Sequence, residues 1–374
     1  MLSGIHEVDQ STLLDVYKFG CRTGANIMVF APAGSGKTQM AQQAAVETGN
    51  KYVYVDLSVL EAPDFIGLPV ISEDKKWADY ASPRWMPCKD ALEKDAEPVV
   101  IIFDEVDKAR PELQAPLLEV LLEHSINGRA LNIKTCLLTG NLPDEGAFSQ
   151  PVSHALTNRC SVFKMQPNFD AWQGWAVKAG INPLVVGFLS RNPDQLLLPP
   201  ADGDPTAYCH ASPRSWTFAA RDLDSLDRNQ DTTFQTMLVA GRVGMGSAAK
   251  FRVWLDHYRH IEPLVDKLLK DGTEPPDMSI DRLIVCCISA VGAISQECRR
   301  QDEAHKTNKS KKDPDKVYKI SGHVLKWLSK QDTEFQIAAI KNAFDMDLIR
   351  DWSLTKVPGF MECVNRTRGV LKSK

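Results

Sequence analysis

One short segment, APAGSGKT at residues 31–38, constrains the fold of this chain more than any other. The run NIMVF at 26–30 precedes it and is typical of a short buried strand. The stretch QMAQQAAVET at 39–48 follows it and favours a helix. In this strand–loop–helix order the loop's backbone N–H groups and the helix N-terminus face one point. The segment therefore predicts an anion site that suits the phosphates of a nucleotide.

The predicted phosphate-binding residues are Pro32, Ala33, Gly34, Ser35, Gly36, Lys37 and Thr38, with Ala31 where a first glycine is usual. The glycines permit the tight turn, the lysine adds charge to the β- and γ-phosphate oxygens, and the threonine hydroxyl is a ligand for Mg²⁺. A glycine-rich turn that binds no ligand is the alternative.

A second acidic motif follows an apolar strand. The run VVIIF at 99–103 ends in Asp104 and Glu105. The carboxyl end of such a strand is the expected place for a ligand site in an open α/β sheet. We expect Asp104 to hold Mg²⁺ together with Thr38, and Glu105 to orient and deprotonate an attacking water. Two carboxylates that merely end a strand at the surface are the alternative.

The alternation of strands and helices predicts an α/β fold with a parallel central sheet. A helix is expected over 8–23, strands over 51–57 and 135–141, and a further helix over 111–124. This pattern fades near 163–167, and mostly helical sequence follows. The polar stretch QDEAHKTNKSKKDPDK at 301–316 predicts a solvated, mobile loop.

Composition narrows the class of protein. A length of 374 residues suggests two or three domains, and a formal net charge of −4 argues against a chain that mainly coats nucleic acid or anionic membranes. We expect neither a membrane-spanning segment nor a secretory signal, because no run is long and apolar enough for the first and MLSGIHEVDQ at 1–10 lacks the basic and apolar regions of the second. Its nine cysteines lack C-x-x-C spacing, and the adjacent Cys286 and Cys287 lie in an apolar run. We therefore expect buried thiols and a cytoplasmic, reducing location.

An ordered set of motifs resembles the MoxR-type AAA+ ATPases, which belong to the helix-2-insert branch of AAA+ proteins. DEVDKARPELQAPLLEVLLE at 104–123 resembles their Walker B region and TGNLP at 139–143 their sensor 1 segment. LTNRC at 156–160 resembles their arginine-finger segment and SPRSW at 212–216 their sensor 2. The resemblance extends from about residue 10 to 225.

This resemblance implies a P-loop NTPase αβα sandwich with a parallel central sheet, followed by an α-helical lid and a C-terminal helical region. The corresponding ranges are 1–167 for the nucleotide-binding core, 168–245 for the lid and 246–374 for helices of unknown role. It also implies ATP and Mg²⁺ as cofactors.

Three site residues follow from the resemblance. Asn141 would contact the γ-phosphate or the lytic water, Arg159 would act in trans on the ATP of a neighbouring subunit, and Arg214 would reach the nucleotide from the lid. A guanidinium suits both arginine roles because it is permanently charged and spans phosphate oxygens. Each has a structural alternative: a plain turn residue at 141, a surface or ion-paired arginine at 159, and stacking of Arg214 on Trp216.

Two hairpin inserts are expected, over about 61–87 and 125–135. Trp77 and Tyr80 in the first could grip a polypeptide, or could pack the hairpin onto its own domain. The second contains Asn127-Gly128, a strong two-residue turn signal. Arg129 at its tip could touch a substrate or be an ordinary exposed arginine.

The function that the resemblance implies is an ATP-hydrolysing ring, a hexamer with nucleotide sites between its subunits, that remodels a partner protein. That partner could be a separate protein with a von Willebrand factor A (VWA) domain. A DNA- or RNA-directed motor or clamp, with a pore lined by Arg129 or by Lys75 and Lys76, is the alternative. A nucleotide switch without hydrolysis is a third candidate, against which Glu105 and Arg159 argue. No membrane partner is expected.

Overall fold

A computed structural model describes residues 5–93, 95–142, 151–198, 208–227, 230–308, 312–343, 346–361 and 363. The chain forms two compact units that divide after Asn168. The strands, all in the first unit, are β1 (His6–Val8), β2 (Ile27–Phe30), β3 (Tyr52–Asp56), β4 (Leu68–Ile71), β5 (Ala78–Ala81), β6 (Val99–Asp104), β7 (Ser125–Ile126), β8 (Arg129–Ala130), β9 (Ile133–Gly140) and β10 (Ser161–Met165). The helices of this unit are α1 (Gln10–Thr23), α2 (Lys37–Glu47), α3 (Ala62–Ile66), α4 (Pro111–Glu123) and α5 (His154–Thr157).

Six strands form one parallel sheet in the order β1-β10-β2-β9-β6-β3. Alternate side chains of its strands enter two separate apolar layers. Ile27 and Val29 pack with α1 and α2 on one face, and Met28 and Phe30 pack with α4 on the other. This αβα sandwich confirms the predicted fold class.

Helix α1 shows how local sequence determines an element. The Asp9 side chain accepts a hydrogen bond from the backbone N–H of Thr12 at 2.8 Å, which caps the first turn. At the other end Gly24 has a φ of 85°, the left-handed conformation in which helices commonly terminate. Leu13, Tyr17 and Cys21 lie between these caps at helical spacing and are fully buried.

Two strands of the sheet were missed by sequence reasoning. The described strands do end near 163–167, as predicted, because β10 ends at Met165 and helices follow from Phe169, but β10 itself, which pairs in parallel with β2 inside the sheet, was not predicted. The helix predicted over 8–23 begins at Gln10 instead, and His6–Val8 forms the edge strand β1. Both strands are short and carry polar residues, so they give little periodic signal.

The second unit is helical among its described residues. Its helices are α6 (Phe169–Lys178), α7 (Pro183–Arg191), α8 (Pro213–Asp224), α9 (Thr232–Val243), α10 (Met245–Asp271), α11 (Ile280–Asn308), α12 (Pro314–Leu328), α13 (Thr333–Ala343) and α14 (Met346–Asp351). One hydrophobic cluster extends from Trp172 to Cys363 and includes the packed rings of Phe188, Trp216 and Phe251. Cys286 and Cys287 are buried in it as free thiols.

The loop predicted over 301–316 is wrong for most of its length. Helix α11 continues to Asn308 and α12 begins at Pro314, while 309–311 lie outside the described residues. Most of the described polar side chains here are exposed, and some of them also make tertiary contacts. Glu297 accepts from Arg300 at 2.7 Å and pairs with Lys316 at 3.1 Å, so charge in this stretch holds two helices together.

No helix in the described part of the chain is both long and apolar enough to cross a bilayer.

Candidate functional site

The loop between β2 and α2 has the conformation that a phosphate-binding loop requires. Gly34 and Gly36 have φ values of 72° and 93°, and α2 begins directly at Lys37. A β-carbon on Gly36 would meet nothing within 4 Å, so its positive φ, and not lack of space, calls for glycine. The loop therefore aims the N-terminal turn of an 11-residue helix at the space above it.

Two buried polar side chains of this loop are suited to an anion. The Ser35 hydroxyl is buried and has no hydrogen-bond partner in the structure as described, in a residue that is 3% exposed. Lys37 is only 7% exposed, and its ammonium group donates to Oδ1 of Asn141 at 2.8 Å. A buried hydroxyl without a partner is costly unless a ligand supplies one.

The carboxylate of Asp104, at the end of β6, is the centre of a hydroxyl cluster. Thr38 Oγ1 lies 3.0 Å from each of its oxygens. Tyr54 donates from β3 at 3.1 Å, and Thr139 donates from β9. The predicted pairing of Thr38 with Asp104 is thus present in the geometry. Sequence reasoning missed Tyr54 and Thr139, which only the strand order brings to this carboxylate.

Tyr54 remains a hydrogen-bond donor over the whole physiological pH range. Partial burial and the adjacent Asp104 carboxylate both raise the pKa of its phenol well above the usual value. The alternation of side chains along β3 could have drawn attention to Tyr54. Tyr54 lies two residues before Asp56, so both side chains are on the same face of the strand, and Asp56 is in register with Asp104.

Glu105 has a left-handed backbone, with φ 57° and ψ 44°, which is uncommon outside glycine. A short 3-10 helix, Val106–Lys108, follows it. The Glu105 carboxylate forms an ion pair with Lys108, and this contact raises the pKa of the lysine ammonium. The predicted base therefore has a cationic partner three residues further along the chain.

Asn141 lies directly after β9 and contacts both predicted motifs. Besides the bond from Lys37, its backbone N–H donates to Oδ1 of Asp107 at 2.9 Å. Asp107 is 2% exposed and was not among the predicted site residues. The structure thus brings Lys37, Thr38, Asp104, Glu105 and Asn141 to one edge of the sheet.

The two predicted arginines lie in different units of the chain. Arg159 follows α5, where one guanidinium nitrogen donates to the carbonyl oxygen of Ala155 at 2.8 Å. Its Nε is buried with no hydrogen-bond partner in the described part of the structure. Arg214 lies in the first turn of α8, in the second unit, and is exposed. Trp216, the stacking partner considered for Arg214, is instead fully buried against Phe188.

The segment 61–87 contains α3 and an antiparallel pair, β4 with β5. Trp77, in the turn between these strands, is 67% exposed, so it does not pack onto its own domain. Tyr80 is partly buried.

The second insert forms the pair β7–β8 across Asn127 and Gly128, both with positive φ. Arg129 is neither at a free tip nor an ordinary exposed arginine. It donates to Asp90 at 2.7 Å and to the carbonyl oxygen of Tyr80 at 3.1 Å, which ties the two hairpins together.

The residues present fit Mg²⁺ and a triphosphate. A threonine hydroxyl and a carboxylate supply the hard oxygen ligands that Mg²⁺ prefers. A buried lysine, a buried serine hydroxyl without a partner and a helix N-terminus supply the donors that phosphate oxygens need.

Residues 26–131 match the family described as AAA domain (dynein-related subfamily). This range contains the glycine-rich loop at 31–38, both hairpins and the Asp104–Glu105 pair, so the similarity to an AAA domain includes the candidate site. No curated protein sequence matches the chain at a significant level.

Similar solved structures include RuvB from Thermotoga maritima, a Holliday junction branch migration motor. It is 13% identical with a TM-score of 0.33, over 70% of this chain and 74% of RuvB. NtrX from Brucella abortus, in complex with ADP, is 17% identical with a TM-score of 0.36, over 72% of this chain and 64% of NtrX. A candidate ATPase from Cytophaga hutchinsonii is 13% identical with a TM-score of 0.33, over 96% of this chain and 89% of that protein.

Proposed function

We propose that this protein is a Mg²⁺-dependent ATPase of the AAA+ type that works as a ring and remodels a partner protein. The observation that carries the ATPase proposal is the convergence of three separate motifs on one site. Thr38 bonds to Asp104, and Lys37 bonds to Asn141. The two residues of the first contact are 66 positions apart in the sequence, and the two residues of the second are 104 positions apart.

In the proposed reaction, the backbone of residues 34–37 and the Lys37 ammonium hold the β- and γ-phosphates. Thr38 and Asp104 would hold Mg²⁺, and the charge of the ion would offset negative charge on the phosphate oxygens. Glu105 leaves Lys108 and accepts a proton from the attacking water. Phosphoryl transfer depends mainly on positioning and charge compensation, and these side chains supply both.

Arg159 supports the ring part of the proposal. Its guanidinium has one backbone contact in its own unit and a buried Nε without a partner among described residues. We propose that it reaches the ATP of a neighbouring subunit, in a hexamer as the resemblance implies, so that hydrolysis requires assembly. Arg214 would contact the nucleotide from the helical lid, since its exposed guanidinium is available for this.

The first hairpin supports a protein substrate. Trp77 is 67% exposed and lies in the turn that joins β4 to β5, and Leu68, Val70 and Ile71 of β4 are also exposed. An exposed apolar surface of this kind suits a polypeptide or a VWA-domain partner better than a phosphate backbone. The nucleic-acid alternative loses one of its candidate cations, because Arg129 is engaged by Asp90.

The test is the variant Glu105→Gln, with Glu112→Gln as its matched control. Glu112 is an exposed residue in the first turn of α4. We expect Glu105→Gln to bind ATP, to stay assembled and to lose turnover by about two orders of magnitude or more, as loss of a general base does. The control should keep wild-type turnover. Unchanged turnover in Glu105→Gln would show that this carboxylate is not the base.

The trans role of Arg159 is tested by mixing. Arg159→Ala and Lys37→Ala should each be inactive alone, and mixed rings should regain part of the activity because intact sites form at some interfaces. No recovery at any mixing ratio would refute a shared site.

The substrate class is tested separately. A partner protein retained by the ATP-bound Glu105→Gln protein would identify the substrate. ATPase stimulation by single-stranded DNA or RNA that falls steeply with salt would instead favour the DNA- or RNA-directed motor.

A further inference from the structure

Asp107 is a buried carboxylate that the proposed reaction does not yet use. It lies in the 3-10 helix after Glu105 and is 2% exposed. Its Oδ1 accepts the backbone N–H of Asn141 at 2.9 Å, and its Oδ2 accepts the Asn141 side-chain Nδ2 at 3.4 Å. An ionised carboxylate only accepts hydrogen bonds, so the side of Asn141 that faces Asp107 must carry its donors.

The opposite end of the Asn141 amide is determined in the same way. Lys37 Nζ has donors only, and it contacts Oδ1 of Asn141 at 2.8 Å. Asn141 is thus placed between a residue that can only accept and one that can only donate. The amide has one orientation that satisfies both, with Nδ2 toward Asp107 and Oδ1 toward the phosphate-binding loop.

Close packing holds the Asp107 carboxylate in place. A β-carbon on Gly140 would lie 3.1 Å from Asp107 Oδ1 and 2.9 Å from the Phe30 ring. The Asp107 carboxylate and the Phe30 ring therefore both lie against Gly140 of β9, in space that the side chain of any other residue would need. The Asp107–Asn141 contact has little freedom to rearrange.

We propose that Asp107 is a positioning residue that makes Asn141 present its carbonyl oxygen, and not its NH₂ group, to the γ-phosphate region. The proposal rests on the ATPase function proposed above and makes its chemistry more specific. An amide oxygen repels the anionic γ-phosphate but accepts a hydrogen bond from water. Asn141 therefore orients the attacking water, with Glu105 on the same turn as Asp107 taking the proton.

The central variant is Asp107→Asn, which keeps the shape of the side chain. The NH₂ group introduced at position 107 would face the NH₂ group of Asn141, and two donors cannot hydrogen-bond to each other. We therefore expect the Asn141 amide to rotate, so that its NH₂ group replaces its oxygen on the side of the phosphate-binding loop. We expect kcat to fall about 10- to 100-fold, the usual range for loss of an orienting partner, while KM for ATP changes less than about threefold. Asp9→Asn is the matched control, because an asparagine caps α1 as well as the aspartate does.

A double-mutant cycle separates positioning from general damage. In the Asn141→Ala background there is no amide to orient, so Asp107→Asn should lower kcat no further. An equal loss in both backgrounds, or a wild-type kcat in Asp107→Asn, would overturn the proposal.

A second measurement does not depend on catalysis. The double variant D107N/N141D exchanges the amide and the carboxylate and restores a donor opposite an acceptor. Without nucleotide, its thermal midpoint should exceed that of Asp107→Asn, and a midpoint as low as that of the single variant would contradict the inferred contact. If the wild-type protein neither binds nor hydrolyses ATP, the proposed function fails, while this measurement still decides whether Asp107 orients Asn141.

Discussion

Gly140 is the residue at which β9 passes closest to the Phe30 ring and the Asp107 carboxylate, and replacing it with alanine tests how tightly the site is packed. The added β-carbon would lie 2.9 Å and 3.0 Å from two carbons of the Phe30 ring and 3.1 Å from Asp107 Oδ1. The φ of Gly140 is not in the left-handed region, so the backbone itself accepts alanine. Any effect must therefore come from the missing space.

The expected loss follows from these distances. Carbon atoms in contact are normally about 3.5–4.0 Å apart, so the ring or the strand must shift by roughly 0.5–1 Å. Phe30 is 4% exposed and packed in the core, so its ring cannot move into solvent. Extra volume in a packed core destabilises by about 1–3 kcal/mol. For a unit of this size, that lowers the thermal midpoint by roughly 2–12 °C.

Amide hydrogen exchange in β2 and β9 is the suitable assay, because it reports the first unit separately from the second. Gly174→Ala is the matched control. Gly174 is an exposed position within α6, and a β-carbon there meets nothing within 4 Å. That change should stabilise the second unit by up to about 1 kcal/mol, since alanine is the better helix former. Wild-type protection of β2 and β9 in Gly140→Ala would refute the close-packing argument.

Three further predictions concern charged and polar contacts. Hydrogen bonding lowers the pKa of Glu297 to about 2 from 4.5, so its stabilisation is present above pH 4.5 and is lost as pH falls toward 2. Unfolding followed between pH 2 and 5 should therefore be less acid-dependent in Glu297→Gln than in wild type, and equal slopes would contradict this. Arg129→Ala should increase proteolysis of the first hairpin, and so should Asp90→Asn, with no further increase in the double variant; an additive effect would exclude their pairing. Tyr54→Phe should lower the free energy of unfolding by about 1 kcal/mol and weaken Mg²⁺-dependent turnover, because Asp104 loses a donor; unchanged values in urea titration and ATPase assay would count against this contact.

Interpretation of the sequence was most accurate where neighbouring residues decide the structure. The loop at 31–38, the strand ending at Asp104 and the turn at Asn127-Gly128 all depend on contacts or torsions within a few residues. The fold class followed from them, because alternating strands and helices leave few arrangements other than a parallel sheet covered on both faces. The pairing of Thr38 with Asp104 followed as well, since parallel strands bring their carboxyl ends to one edge.

Strand order decided what the sequence could not. Tyr54 reaches Asp104 from 50 residues away only because β3 lies next to β6, and Asp107 reaches Asn141 only because β6 lies next to β9. Strands β1 and β10 were missed for a related reason, since their pairing and not their own composition keeps them in the sheet. The contact of Arg129 with the carbonyl oxygen of Tyr80 likewise joins two segments that are separate hairpins in the sequence.

The sequence by itself thus determined the glycine-rich loop at 31–38, the acidic strand end and the class of fold, because each is specified by residues that are close together along the chain. The tertiary structure alone decided which side chains surround Asp104, which way Asn141 faces and whether Arg129 is free. The physical reason is that hydrogen bonds between distant segments depend on how strands are ordered and packed, and local propensities carry no information about that order.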